Sequence, residues 1–265
     1  MHVPTYETLP DPSVIMTLGR GYDVVDGQYA PTLETAARAK EAANYYNSGP
    51  AGDPLYLFSG WYGKVASRGK TPEPPAGVSE ANMQLEVFDS TLDWFANQAV
   101  PDDDEPPMSN LDYSHRRTAI DDRSIDTFTN FTESVAAGHL EVGSFSPGKP
   151  LALSISRVHG WRASIAAQQA LALPPNSLYR LRGSLIETGA LITAKERLLL
   201  AVTRLALADV GETSGAEPGN LQHTKAASEA FAEMSRHPAP TILRAVRHPS
   251  LWRVPKVPLL RYWER

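Results

Sequence analysis

Cysteine is absent from all 265 residues. That removes disulfide bonds, thiolate nucleophiles and cysteine-held metal centres, and it fits a reducing compartment. Also missing is an apolar run long enough to span a bilayer. The most apolar stretch, RLLLAVTRLALA from Arg197, is interrupted by Arg204 and falls short of the roughly 20 residues a membrane helix needs. The N-terminal MHVPTYETLPDPS has neither a basic start nor an apolar core, so no secretion leader is expected. Acidic residues are scarce in one region only. From Arg236 to Arg265 seven Lys or Arg stand against a single acid, Glu264. That tail carries +6 and the remainder −11, for a net charge of −5. A molecule acidic as a whole is not built to coat nucleic acid. The expectation is a soluble cytoplasmic protein whose partner is an anionic small molecule, with no transmembrane segment and no metal site.

What is present suits a globular core, since 42% of the residues are hydrophobic and only 21% charged. Short apolar runs at 13–19, 54–60, 117–122, 150–156 and 177–183 predict five buried strands. Helical patterns alternate with them. One starts at Thr32 as N-cap and stops at Gly49, one covers 79–97, one begins near Asp126, and one covers 159–173. Such alternation implies an α/β fold: a Rossmann-like three-layer sandwich of about five parallel strands with helices on both faces. After Gly183 come two long amphipathic helices and a basic arm bearing prolines and tryptophans. A domain of residues 1–185 and a C-terminal helical extension of 186–265 are therefore expected. The arm's prolines, in HPAPTI, RHPSLW and VPKVPLL, read as helix breakers. The arm itself either wraps its own domain or docks on an acidic partner or membrane surface. Segments 64–77 and 100–117 read as loops, as does the connection from Gly21 to Thr32.

Open parallel sheets bind ligands beyond the carboxyl ends of their strands. Gly19, Arg20 and Gly21 follow the first predicted strand, and Ser59, Gly60 and Trp61 end the second. Asp122, Arg123 and Ser124 follow the third, and Arg157 and His159 the fourth. Gly19 and Gly21 let backbone amides approach an anion, although the third glycine of a dinucleotide fingerprint is missing and a simple turn fits equally. Arg20 suits bidentate contacts to phosphate or carboxylate. His159 and Arg162, three apart at a helix start, share one face as proton donor and anion clamp. A histidine beside Trp161 also suits a purely structural hydrogen bond. Glu80 opens a helix, where a carboxylate gains about 0.3–1 kcal/mol from the dipole without a further role. In TAIDDRSIDTFTNF (118–131) hydroxyls are interleaved with aromatics. Phe128 and Phe131 are expected to face the sheet, while Ser124, Thr127 and Asn130 cap backbone groups and line the cleft beside His159.

These residues, in this order, resemble the YdcF–SanA–ElyC family of bacterial proteins. The shared pattern is a glycine pair after a strand (Gly19, Gly21), a helical arginine (Arg38), Ser59-Gly60, and Ser79-Glu80-Ala81 opening a helix. It continues with Asp121/Asp122, Ser124, Thr127 and Asn130, and ends on His159 with Arg162. The resemblance covers roughly residues 13–185 and implies a Rossmann-like fold. It also implies either binding of S-adenosylmethionine, as in one branch, or a part in envelope-precursor metabolism, as in the membrane-anchored branches. Three features depart from the pattern: Trp61 replaces a glycine, 100–117 is inserted, and no membrane helix precedes the domain.

Three functions follow from these readings. One is a site for a nucleotide-type ligand, S-adenosylmethionine among the candidates, lined by Gly19, Arg20, Gly21, Ser59, Gly60, Trp61, Glu80, Ser124, Thr127 and Asn130. The second is a hydrolase or transferase for a phosphorylated metabolite, with His159 as acid or base, Asp122 orienting it and Arg162 holding the anion. The third is a non-catalytic protein that interacts through its basic arm.

Overall fold

The computed structural model describes residues 10–49, 52–61, 74–98, 116–181, 190–214, 217–254 and 259–260. The chain opens with β1 (Val14–Leu18), a pair β2 (Tyr22–Val25) and β3 (Gln28–Pro31), and α1 (Leu33–Asn47). Next come β4 (Leu55–Ser59), α2 (Glu80–Gln98), β5 (Thr118–Asp121) and α3 (Thr127–Ala136). They are followed by β6 (Leu151–Ser154), α4 (Arg157–Leu171), β7 (Leu178–Leu181) and α5 (Ala190–Ser214). Last are α6 (Leu221–Arg236), α7 (Pro238–Val246), a 3₁₀ turn (Pro249–Trp252) and β8 (Leu259–Leu260).

The main sheet has the order β5-β4-β1-β6-β7, all parallel, with the two-residue β8 added beside β7. From the central β1 the chain winds outward through β4 and β5, then returns to the other side of β1 for β6 and β7. The reversal lies between β1 and β6, the place where doubly wound sheets open a crevice at their carboxyl edge.

Side chains alternate between two apolar layers with the strand period of two. Ile15, Tyr56, Phe58 and Ala152 pack with Ala42 and Ala43 of α1 and Phe88 and Leu92 of α2. Met16, Leu18, Leu57 and Leu153 pack on the opposite face with Phe128 and Phe131 of α3 and Ala163 and Ala167 of α4. The three-layer, Rossmann-like sandwich expected from the strand and helix alternation is therefore present. Phe128 and Phe131 face the sheet, each fully buried, which contributes about 1.5–3 kcal/mol per side chain.

The helices beyond residue 185 share that core. Val202 of α5 and Ala227 and Phe231 of α6 belong to the same cluster as Phe128 and Leu153, and the Phe128 and Phe231 rings meet edge-on at 6.1 Å. The basic arm folds back as far as it is described. Trp252 donates to the Ala245 carbonyl (3.0 Å), and Arg204 of α5 donates to the carbonyl of Leu251 (2.7 Å).

Three local expectations are corrected. Residues 22–31 form an antiparallel hairpin, not a loop. Its Asp26-Gly27 turn has positive φ at both residues (52° and 79°), the geometry that matches hairpin twist. The arm's prolines do not exclude a helix, because α7 begins at Pro238, where the missing N–H has no intrahelical partner to lose. The arm also supplies β8, a sixth strand. Most of the expected loops at 64–77 and 100–117 lie outside the described residues. Among the described residues no helix is long and apolar enough to cross a membrane.

Candidate functional site

At the reversal between β1 and β6, seven side chains from five segments join in a closed ring. Arg20, in the turn after β1, pairs through Nε with Glu34 Oε2 (3.3 Å) and through Nη1 with Glu196 Oε1 (2.6 Å). Glu34 pairs with Arg38 one turn along α1 (2.5 Å). The Arg38 guanidinium also donates to the carbonyl of Leu18 (2.5 Å) and faces His159 Nδ1 (3.2 Å). Glu196, from α5, accepts from Arg162 Nε of α4 (3.0 Å). Arg162 Nη1 donates to Thr127 Oγ1 of α3, and Thr127 Oγ1 meets His159 Nε2 at 3.3 Å, which closes the ring.

Three guanidinium groups thus face two carboxylates. His159 adds no charge. Burial, and then Arg162, Arg38 and Arg20, hold its pKa well below the ordinary 6.5, so the imidazole is neutral near pH 7. Because a guanidinium only donates, Nδ1 beside Arg38 is the accepting nitrogen and the proton sits on Nε2, aimed at Thr127. Burial pushes the Glu196 carboxyl upward, but Arg162 and Arg20 outweigh it and hold the group at about 2. Burial lowers Arg38 to about 10, with Glu34 working against the fall. One positive charge remains in excess within the ring. Ser156, the N-cap of α4, makes no side-chain bond to that helix's free N–H groups; its hydroxyl accepts from Arg38 instead (3.3 Å). The first turn of α4 therefore adds further positive potential on the same side.

A second polar cluster sits at the ends of β4 and β5. Asp121 Oδ2 accepts from Ser59 Oγ (2.8 Å), Ser134 Oγ (3.0 Å) and Ser124 Oγ, while Oδ1 accepts from the backbone N–H of Arg123 (3.2 Å). Ser59 Oγ also approaches Asn130 Oδ1 (3.1 Å). The hydroxyl-rich 118–131 stretch thus holds a buried strand-end carboxylate, and it also starts α3. Asp126 caps that helix by accepting from the N–H groups of Phe128 and Thr129, with Thr129 returning the bond.

The expected site residues therefore fall into two groups. Arg20, Thr127, His159 and Arg162 meet in the ring; Ser59, Ser124 and Asn130 meet around Asp121. Asp122 belongs to neither group. On β5 Ala119 packs toward α3 and Ile120 toward α1 and α2, so the period of two turns Asp121 inward and leaves Asp122 exposed. The orienting partner of His159 is Arg38, not Asp122. The glycine cradle is also reassigned. A Cβ added to Gly19 falls 1.9 Å from Glu80 Oε2, and one added to Gly60 falls 3.3 Å from it. The close approach those glycines allow is made by the carboxylate of Glu80. Gly21, at φ +105°, ties the turn to α1 through a bond from Thr35 Oγ1 to its carbonyl (2.8 Å). Trp61 is half-buried against Tyr22, Tyr29, Val78 and Met83.

Glu34 and Glu196 are functional-site residues that no motif indicated. Glu34 carries a signal, being an acid four residues before Arg38 on an alanine-rich helix. Glu196 carries another: it shares a helix face with the buried Leu200 and Thr203, where an unpaired charge would be expensive. Among the described residues no group of three or more His, Asp and Glu side chains is arranged to hold a metal. Comparison of the chain with protein-family models, with curated proteins and with solved structures gave no match in any of the three.

Proposed function

We propose that the chain is a cytoplasmic, YdcF-like protein that binds an anionic small molecule in the crevice between the ends of β1 and β6. The observation that carries this reading is the ring of three arginines and two glutamates, with its surplus positive charge at the sheet's switch point. Arg20 is the most exposed arginine of the ring (18% of its side chain, against 10% for Arg162 and 1% for Arg38) and is the first to meet a ligand. The ligand class we favour is of nucleotide type, with S-adenosylmethionine the member that the resemblance implies and Trp61 a flat aromatic surface at a neighbouring strand end. Calorimetric titration with S-adenosylmethionine, adenosine monophosphate and inorganic phosphate tests it. Saturable binding is expected, weakened about tenfold or more in Arg20→Gln through loss of one charge-assisted contact. No saturable binding at millimolar ligand removes the reading.

A second reading, hydrolysis or transfer on a phosphorylated metabolite such as an envelope precursor, is favoured by His159. A neutral imidazole of fixed tautomer among guanidinium groups is suited to moving a proton beside a bound anion. A substrate screen comparing wild type with His159→Ala decides: equal turnover in both takes His159 out of the chemistry.

A further inference from the structure

Every hydrogen-bonding position of Thr127 is used but one. A hydroxyl oxygen has two acceptor lone pairs and a single proton to give. Arg162 Nη1 donates into one lone pair. His159 Nε2–H donates into the other, since Nδ1 of that ring is committed to Arg38. The hydroxyl proton is left over. Thr127 is the first residue of α3, so no carbonyl of its own helix lies one turn back to receive it. Among the described residues none accepts it, although the side chain is buried.

We propose that Thr127 is a specificity-determining residue of the ligand site, its hydroxyl proton directed at the ligand so that a hydrogen-bond acceptor is required there and the terminal oxyanion of a phosphoryl or carboxyl group fits best. This rests on the anion-binding reading above and adds the atom at which the anion is selected. Two donors into one oxygen polarise its O–H and make it a stronger donor. The Arg162 charge, bonded to the same hydroxyl, favours an anionic acceptor over a neutral carbonyl. A ligand ammonium at this point meets a proton with no lone pair to offer and is refused, while a neutral hydroxyl accepts more weakly than an oxyanion.

Inorganic phosphate, titrated into the full chain and followed by calorimetry and by long-range 1H–15N spectra of the imidazoles, provides the test. His159 is expected as the Nε2–H tautomer with and without phosphate. Thr127→Ser should keep phosphate affinity within about threefold, whereas Thr127→Val should lose about tenfold or more, the loss of one hydrogen bond to a charged group. Wild type that binds neither phosphate nor acetate removes the anion site and this role with it. Wild type that binds, with Thr127→Val binding equally, keeps the site and overturns the role of Thr127. Should the valine variant not fold, the tautomer decides alone: an Nδ1–H imidazole means that Thr127 donates into Nε2 and has no proton for a ligand.

Discussion

Replacing Glu196 by glutamine (E196Q) keeps the side-chain volume and removes one of the two negative charges of the ring. Glu196 is fully buried and accepts from Arg162 Nε at 3.0 Å and faces Arg20 Nη1 at 2.6 Å, so its loss leaves Arg162 without a carboxylate and Arg20 with Glu34 alone. Breaking a buried pair in this way costs about 3–5 kcal/mol. A separate route gives a similar figure. Each step of one in pKa is worth about 1.4 kcal/mol, so holding the carboxyl at about 2 instead of 4.5 contributes about 3 kcal/mol. Because the folded pKa is the lower one, this stability is present above pH 4.5 and fades as pH falls toward 2. Urea unfolding near neutral pH should therefore place E196Q about 3 kcal/mol below wild type, with a melting point lower by roughly 10 °C. Near pH 3 the gap should narrow. Millimolar phosphate should raise the melting point of E196Q more than that of wild type, because the freed guanidinium groups gain a replacement anion. A loss below about 1 kcal/mol, or the same gap at both pH values, refutes the ring as the source of the effect.

Three other outcomes are expected. His159 has a depressed folded pKa, so the unfolded chain takes up the proton first. Stability should decline as pH falls below 6.5, and melting curves of His159→Gln should lack that decline. Gly19→Ala drives a methyl group into Glu80 Oε2 and should lower stability by about 1–3 kcal/mol. Most of that loss should return in the double variant with Glu80→Ala, and additive losses in chemical denaturation sink the contact. Asp121→Ala removes the acceptor that the hydroxyls of Ser59, Ser124 and Ser134 share, leaving each its second acceptor (Asn130 Oδ1, the Thr129 carbonyl and the Asn130 carbonyl), and should cost about 1–2 kcal/mol, whereas Asp122→Ala, on the exposed side, should shift the unfolding midpoint negligibly.

Local chemistry, which neighbouring residues decide among themselves, could be read from the sequence. The apolar runs and helical periods located the five strands and their helices. Thr32 was readable as a cap because capping is settled within three residues, whereas Asp126 marked only the start of α3, and the capping expected of Ser124, Thr127 and Asn130 is done by Asp126 with Thr129. The Asp26-Gly27 turn was equally local, and its hairpin was available from the flanking Val24, Val25 and Tyr29. Alternation also separates Asp121 from Asp122 once the strand is known to end at 121. Long-range pairing was another matter. Arg38 and His159 touch across 121 positions, and Ser59 and Asp121 across 62, with nothing in either neighbourhood that specifies the other. Glu196 comes from a helix expected to be an appendage, and only its packing against α4 brings it to Arg162. Secondary structure follows from propensity and periodicity within a few turns of chain, whereas the order of the strands is settled only by the tertiary fold. The charge balance of the site is a sum over five segments that meet only because both faces of the sheet must be covered.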